Sequence, residues 1–293
     1  MTPAPEAGSL PSVLITGATD GLGRAAAIFL AGNGYRVFAA GRSAEKRASL
    51  DRLAEEQRLP IETLELDVAD DASVRRGVAR VLDRAGAIDV LINNAGVAYV
   101  AVMEEIRLDD FRRQYETNVF GVVRMIQAAL PGMRERRRGR IINMSSIAGK
   151  IASPLMGPYA SSKFALEGLS DSLRLELSPF GIHVVLIEPG IIHTNMQNAS
   201  LELSSAYAAG VEKSPYAAVY RGFRHSWKKG SAASRTTPED CARVILRALR
   251  ETPPRARYTV TSHARYGSLA KRFLSDRMLD KSILRSMGLD QPQ

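Results

Sequence analysis

The sequence predicts an α/β protein built on one doubly wound, mainly parallel seven-stranded sheet with helices on both faces. Three observations predict it. Short apolar runs of strand length recur along the chain and alternate with segments in which apolar residues return every three to four positions. Most of the runs are continuously apolar, as strands buried on both faces of a parallel sheet tend to be. There is no internal repeat and no low-complexity block, so each crossover reads as a right-handed βαβ unit of a single domain.

In order, Val13-Leu14-Ile15 is the first strand, and Leu22, Ala25, Ala26, Phe29 and Leu30 recur at helical spacing after it. Gly32-Asn33-Gly34 stops that helix. Val37 to Ala40 is the second strand, followed by a charged helix to about Gln57 that Pro60 closes. Ile61 to Leu66 is the third strand; Asp70 or Asp71 caps the next helix, with Val74, Val78 and Val81 inward. Val90-Leu91-Ile92 is the fourth strand, and a long helix follows with Phe111, Tyr115, Val119, Val122 and Ile126 on one stripe. Ile141 to Met144 is the fifth strand. A helix after Pro158 turns Leu166, Leu169, Leu173 and Leu177 inward and stops near Pro179 and Gly181. Val184 to Ile187, a helix after Pro238, and Tyr258-Thr259-Val260 complete the sheet. The expected division is a flexible tail over 1–10, a domain over 11–262 with an aperiodic substrate lid over about 191–236, and a basic helical extension over 263–293.

Composition excludes several classes. With 45% hydrophobic and 24% charged residues the chain is an ordinary globular one. No apolar run reaches the roughly 18 residues of a membrane-spanning helix, and the N-terminus lacks the pattern of a signal peptide. The single cysteine, Cys241, rules out an internal disulfide, reads as a small buried residue, and suits a reducing, cytoplasmic location. His183, His193, His225 and His263 are scattered, so no metal site is expected. Residues 1–199 carry 23 basic and 23 acidic side chains, so the net charge of +9 sits entirely in residues 200–293. The basic run Arg134 to Arg140 reads as a solvated helix-to-strand connection, and no nucleic-acid partner is expected.

Between the first strand and its helix, residues 16–23 read TGATDGLG. Gly17, Gly21 and Gly23 allow a tight turn in which backbone N–H groups approach a pyrophosphate at a helix N-terminus, with Thr19, Asp20 and Leu22 filling out the turn. The spacing resembles the TGxxxGxG of the short-chain dehydrogenase/reductase family, a Rossmann-type fold, and Asn93-Asn94-Ala95-Gly96 resembles that family's NNAG. The resemblance implies that Asn94, Ala95 and Gly96 border the cofactor ribose and that Asp67 and Val68 lie by the adenine; Asp67 as a plain helix-start carboxylate is the alternative. NAD-binding folds place an acid at the end of the second strand to hold the ribose 2′-hydroxyl. Here that position is Gly41, followed by Arg42 and Ser43, and an arginine can grip a 2′-phosphate. NADP(H) is therefore favoured over NAD(H), although Asp20 stands where some NADP-preferring relatives carry a basic residue.

Tyr159 and Lys163 are four apart and share a helix face. A nearby ammonium favours the phenolate, which turns a weak base with a pKa of about 10 into a usable acid/base. Ser146 ends the fifth strand, and strand alternation aims its neighbour Ser145 elsewhere. With Asn118 in the long helix, Pro189-Gly190 and Thr194, these matches run in family order over residues 12–196. The resemblance implies that Tyr159 exchanges the proton with the substrate oxygen, that Lys163 holds the nicotinamide ribose and lowers the Tyr159 pKa, and that Ser146 polarises the substrate oxygen. It also implies that Asn118 helps hold a relay water, and that Pro189, Gly190, Ile192 and Thr194 approach the nicotinamide.

Leu155, Met156, Ile191, Ile192 and Met196 flank these residues and suggest a lipophilic alcohol or carbonyl substrate; core or lid packing is the alternative for each. The stretch TPEDCARVIL through RYTV resembles, more loosely, the hydroxysteroid and retinol dehydrogenases, and relatives of the family imply a homodimer or homotetramer. The basic excess of the last third fits a solvated surface, an acidic partner, or loose membrane contact through an amphipathic helix with Leu269, Phe273, Leu274, Leu279 and Ile283. The alternative to an enzyme is an NADP(H)-binding sensor without turnover.

Overall fold

A computed structural model describes residues 10–194, 200 and 202–290 of the chain. The expected tail lies outside the described residues except for Leu10, and so does Met196. The seven strands are β1 (Ser12–Ile15), β2 (Arg36–Gly41), β3 (Ile61–Glu65), β4 (Val90–Asn93), β5 (Gly139–Met144), β6 (Ile182–Glu188) and β7 (Arg257–Thr259). All pair in parallel in the order β3-β2-β1-β4-β5-β6-β7. The chain winds outward from β1 to β3 and then returns to β4 beside β1. That reversal opens a crevice beyond the carboxyl ends of β1 and β4, where α/β folds bind ligands.

The helices are α1 (Gly21–Ala31), α2 (Ala44–Gln57), α3 (Asp71–Ala85), α4 (Leu108–Tyr115), α5 (Gly121–Glu135), α6 (Gly157–Leu177), α7 (Ser205–Ala208), α8 (Ala217–Ala233), α9 (Pro238–Arg250), α10 (Ser262–Phe273) and α11 (Asp276–Ser286). Successive strand residues point to opposite faces, so β1 feeds two cores. Val13 and Ile15 pack under α1 and α9 with Ala27, Leu30, Cys241 and Ile245. Leu14 packs under α3, α5 and α6 with Phe38, Val78, Met125 and Leu177. Thr237 and Asp240 close a reciprocal capping box that starts α9, and Asp70 caps α3.

The elements depart from the sequence pattern in five places. In α1 the buried row is Gly23, Ala26, Ala27, Leu30 and Ala31, because the helix is wedged between the sheet and α9. The long fourth helix is interrupted by a π-helical turn, Glu116–Phe120. The extra residue rotates the face, so Asp110, Gln114 and Asn118 are buried while Phe111, Tyr115 and Ile126 are only half-buried. In α6, Leu169 is 43% exposed, and the inward row is Ser162, Lys163, Leu166, Glu167 and Ser170. The lid contains the 17-residue helix α8; the spacing of Tyr220, Phe223 and Trp227 was its available signal, and Phe223 stacks on Trp227. The C-terminal extension is two helices, since Ser275 caps a new one by accepting from the Met278 N–H.

Arg134 to Arg140 is more engaged than a solvated run. Arg136 donates to the Ile88 carbonyl at 2.9 Å, and Arg138 to Asp89 at 2.8 Å. Arg137 and Arg140 bond the carbonyls of Pro179 and Ala248. The run ties together loops at the amino ends of the strands, away from the crevice.

Candidate active site

The glycine turn is built so tightly that no side chain fits. A Cβ on Gly17 would stand 2.9 Å from the Ala95 Cα, and one on Gly23 2.3 Å from the Gly17 carbonyl oxygen. Gly17 and Gly21 both adopt positive φ, at 61° and 52°. Asn94 holds the turn from the β4 side, its amide donating to the carbonyls of Thr16 and Gly17 at 2.9 and 3.0 Å. The Thr16 hydroxyl accepts from the N–H groups of Asn94 and Ala95, both at 3.0 Å. Asp20 caps α1 by accepting from the Gly21 N–H at 2.7 Å. The TGATDGLG and NNAG segments thus form one unit at the switch point, with the α1 N-terminus facing outward.

A cleft of about 870 Å³ opens there, lined in part by Thr19, Asp20, Gly21, Arg24, Lys46 and Thr194. It runs along α1 toward the start of α9, and Tyr159 is not among its lining residues. Thr194 comes within 3.6 Å of where a Gly21 Cβ would be, so the segment after β6 folds over the turn. Gly190 lies against Thr261, and the Pro189 carbonyl accepts from the Ile147 N–H at 2.9 Å, tying that segment to the Ser146 loop.

At the end of β2, a Cβ on Gly41 would collide with the Thr19 side chain at 2.5 Å, so no carboxylate fits that position as built. Arg42 is 70% exposed, with a loose contact to Asp67 at 3.6 Å, and Ser43 caps α2 by accepting from the Lys46 N–H. The Asp67 carboxylate accepts from the Ala69 N–H at 3.0 Å, and its own N–H donates to Ser73, so it orders the turn into α3. The Val68 side chain is buried against Gly121, so only its backbone is free to border the crevice.

Ser146, Tyr159 and Lys163 converge. The 3-10 turn Ile147–Gly149 after β5 lies against α6, which brings the Ser146 hydroxyl near enough to the Tyr159 phenol to favour its ionised form. Burial pushes the Tyr159 phenol up to about 12, outweighing that influence. The Lys163 ammonium donates to the Met144 carbonyl at 2.8 Å and lies 5.7 Å from the Tyr159 ring centroid. Its own burial lowers Lys163 to about 8, with the Glu167 carboxylate opposing. The expected depression of the Tyr159 pKa by Lys163 is therefore not what this arrangement produces, because desolvation dominates both groups.

Asn118 is fully buried and its amide is spent on protein. It accepts from the Val97 N–H and donates to the Val97 carbonyl, each at 2.9 Å, and donates to Ser162 at 3.1 Å. Gly96 packs on it, with 3.3 Å to the Asn118 Oδ1 from a Cβ. The side chain supports the NNAG loop through these three bonds. A second buried chain runs from Asn93 to Asn143 and on to Ser170, each step 2.9 Å, joining β4, β5 and α6 beneath the site.

Among the expected substrate-lining residues, Ile192 faces the main core, and Leu155 is buried under the lid with Val211 and Tyr220. Met156, three residues before Tyr159, and Ile191 remain half-buried. The lid is pinned by phenols that no periodicity announced: Tyr207 donates to Asp110 at 2.5 Å, Tyr220 to Glu105 at 2.7 Å, and Tyr216 to Glu104. Arg257, with Lys150, faces the buried carboxylates Glu167 and Glu188 behind Lys163.

Comparison with known proteins agrees with this geometry. The family model described as short chain dehydrogenase matches residues 11–203. An oxidoreductase, BOA17, of Botryotinia fuckeliana is 35% identical over 263 residues, covering 89% of this chain and 93% of its own. The 17-beta-hydroxysteroid dehydrogenase type 1 of Homo sapiens is 36% identical over 255 residues, covering 85% of this chain and 77% of its own. The solved structure of an actinorhodin polyketide ketoreductase with NADPH superposes with a TM-score of 0.75 at 27% identity, covering 87% of this chain and 97% of that one.

Proposed function

The chain belongs to the short-chain dehydrogenase family, and from that premise we propose that it is an NADP(H)-dependent oxidoreductase interconverting a lipophilic alcohol and its ketone or aldehyde. The single observation that carries the proposal is the meeting of Ser146, Tyr159 and Lys163, from the end of β5 and α6, in a fold whose glycine turn admits no Cβ at Gly17 or Gly23. The cradle suits a dinucleotide: backbone N–H groups and a helix N-terminus face a pyrophosphate, and Arg42 stands by the adenosine ribose. The dinucleotide supplies the hydride.

The chain's own residues handle the proton. Tyr159, a phenol throughout the neutral range, donates to the substrate oxygen in reduction, while the Ser146 hydroxyl orients that oxygen. Lys163 holds its ammonium 5.7 Å from the Tyr159 ring centroid; leaving the Met144 carbonyl, it would serve the nicotinamide ribose. Gly17, Thr19, Gly21, Leu22 and Gly23 with Asn94, Ala95 and Gly96 line the dinucleotide path; Pro189, Gly190 and Thr194 cover it. The lipophilic substrate class draws support from the printed activities of the steroid and polyketide relatives. A cytoplasmic homodimer is the proposed working form.

Purified protein should oxidise NADPH in the presence of lipophilic ketones. Tyr159→Phe should lose turnover by about 10²-fold or more, the usual scale of acid–base catalysis, while binding NADP+ as before. Unaltered turnover in that variant would reject the role of Tyr159. NADP+ binding without reaction across a broad panel would leave a cofactor-binding sensor instead.

A further inference from the structure

The approach to the adenosine ribose carries a charge arrangement that the glycine-turn and Arg42 assignments do not use. Asp20 stands in the glycine turn, where a free carboxylate would repel a 2′-phosphate. Its Oδ1 is held by capping the Gly21 N–H at 2.7 Å, so the acid has a structural duty at the start of α1. Its other oxygen is met by the ammonium of Lys46, which reaches across from the first turn of α2. Both side chains line the same cleft as Thr19 and Gly21.

Besides Arg24 of α1, which lines the same cleft, three basic residues at the end of β2 and the start of α2 sit near this point, and their states differ. Arg47 is 16% exposed and committed: it donates to the carbonyls of Gly41 and Arg42 at 2.9 and 2.8 Å and pairs with Glu65 at 3.2 Å. Arg42 is open to solvent, with one loose contact to Asp67. Lys46 is 53% exposed and flexible. Helix stability does not explain a lysine there. Its N–H is the one that Ser43 caps, a position where a glutamate or glutamine would complete a capping box. A cation in a first turn opposes the helix dipole, and an exposed ion pair contributes only about 0–1 kcal/mol. What the position does supply is a compensating charge at the anion-facing turn, with spare N–H donors once one is given to Asp20.

We infer that Lys46 is a cofactor-selecting residue: it cancels the Asp20 carboxylate and, beside Arg42, presents a second cation to the phosphorylated adenosine ribose. The inference rests on the NADP(H) assignment above and refines it. The basic residue absent from the turn itself is supplied in space from α2, which leaves Asp20 free to cap α1.

Isothermal titration of the full chain with NADP+ and with NAD+ tests it, on wild type, Lys46→Gln, Asp20→Asn and the double variant. Wild type should bind NADP+ the tighter. Lys46→Gln should weaken NADP+ by about tenfold or more, the scale of one lost charge-assisted contact, and leave NAD+ within about twofold. Adding Asp20→Asn should recover part of the loss by removing the charge that Lys46 no longer offsets. A melting curve for Lys46→Gln within a few degrees of wild type shows that the fold is intact. If wild type prefers NADP+ but Lys46→Gln keeps the NADP+/NAD+ ratio, the inference fails and selectivity belongs to Arg42 alone. If Lys46→Gln weakens both nucleotides equally, the lysine serves the turn and the inference also fails. If wild type shows no preference for NADP+, the NADP(H) assignment itself falls, and the inference with it.

Discussion

At the scale of single residues, the site is a place where burial works against charge. Lys163 is 5% exposed, and its pKa of about 8 stands below the ordinary 10.5 because the ammonium is desolvated. Between those values the unfolded chain binds the proton and the folded chain does not, so stability rises with pH through that window. Below it the full cost remains, roughly 3 kcal/mol at about 1.4 kcal/mol per pKa unit. Lys163→Met should therefore raise the melting temperature of the ligand-free protein at pH 7, by roughly 2–4 °C for each kcal/mol recovered, while abolishing turnover. A lower melting temperature would show that the bond to the Met144 carbonyl outweighs the desolvation. Tyr159 has the opposite sign of consequence: held up to about 12, it is ready to give a proton and slow to take one. The rate of ketone reduction should stay level between pH 6 and 8, while alcohol oxidation should climb with pH; initial rates in both directions over that range decide it. The residues proposed for this chemistry were legible from spacing and resemblance, since Tyr159 and Lys163 share a helix face and Ser146 ends a strand. Their electrostatics were not, because desolvation depends on what the whole fold packs around them.

At the scale of elements, strands were the most legible features, because a run buried on both faces has no polar position to blur it. Helix faces were less so where polar residues were turned inward to build the site. On α6 Leu166 and Leu177 are buried and Leu173 packs on the core as periodicity suggested, but Leu169 is turned out where the inward row is Ser162, Lys163, Glu167 and Ser170. The π-turn Glu116–Phe120 did the same upstream, and no residue type announces an extra residue in a helical turn. Its product is the buried Asn118, whose amide satisfies both backbone groups of Val97. Asn118→Ala should strand those two groups at about 1–3 kcal/mol each, lowering the melting temperature by several degrees. Because Gly96 rests on Asn118, NADP+ affinity should fall as well. A variant that melts and binds like wild type would mean the amide is dispensable to the loop. The lid helices left only the short spacing of Tyr220, Phe223 and Trp227 as a signal, because they are held largely by phenol–carboxylate bonds to Glu104, Glu105 and Asp110, contacts between distant segments.

At the scale of the whole molecule, the question is which surface meets a second copy. Apolar side chains normally stand singly on a surface, and a row of them on one helix face is the exception. On α6, Phe164 and Leu175 are 45% and 68% exposed and fall on one face with Gly168, where nothing lies within 4 Å of an added Cβ. Phe120, 52% exposed, lies on the π-turn packed against α6. A small residue between two apolar ones lets a partner helix approach closely, and a single such patch can pair with itself about a two-fold axis. The face is opposite in kind to the basic C-terminal third, where Tyr266, Leu269 and Phe273 on α10 are exposed among Arg265, Lys271 and Arg272. Self-pairing there would bring like charges together; on α6 it would not carry that cost. A homodimer through α6 should therefore show twice the chain mass in light scattering after size exclusion. Phe164→Glu combined with Leu175→Glu should shift it to a monomer that still binds NADP+, because neither side chain touches the cradle. A dimer that survives both charges, or a wild type that runs as a monomer, would place the exposed α6 row outside any self-association surface.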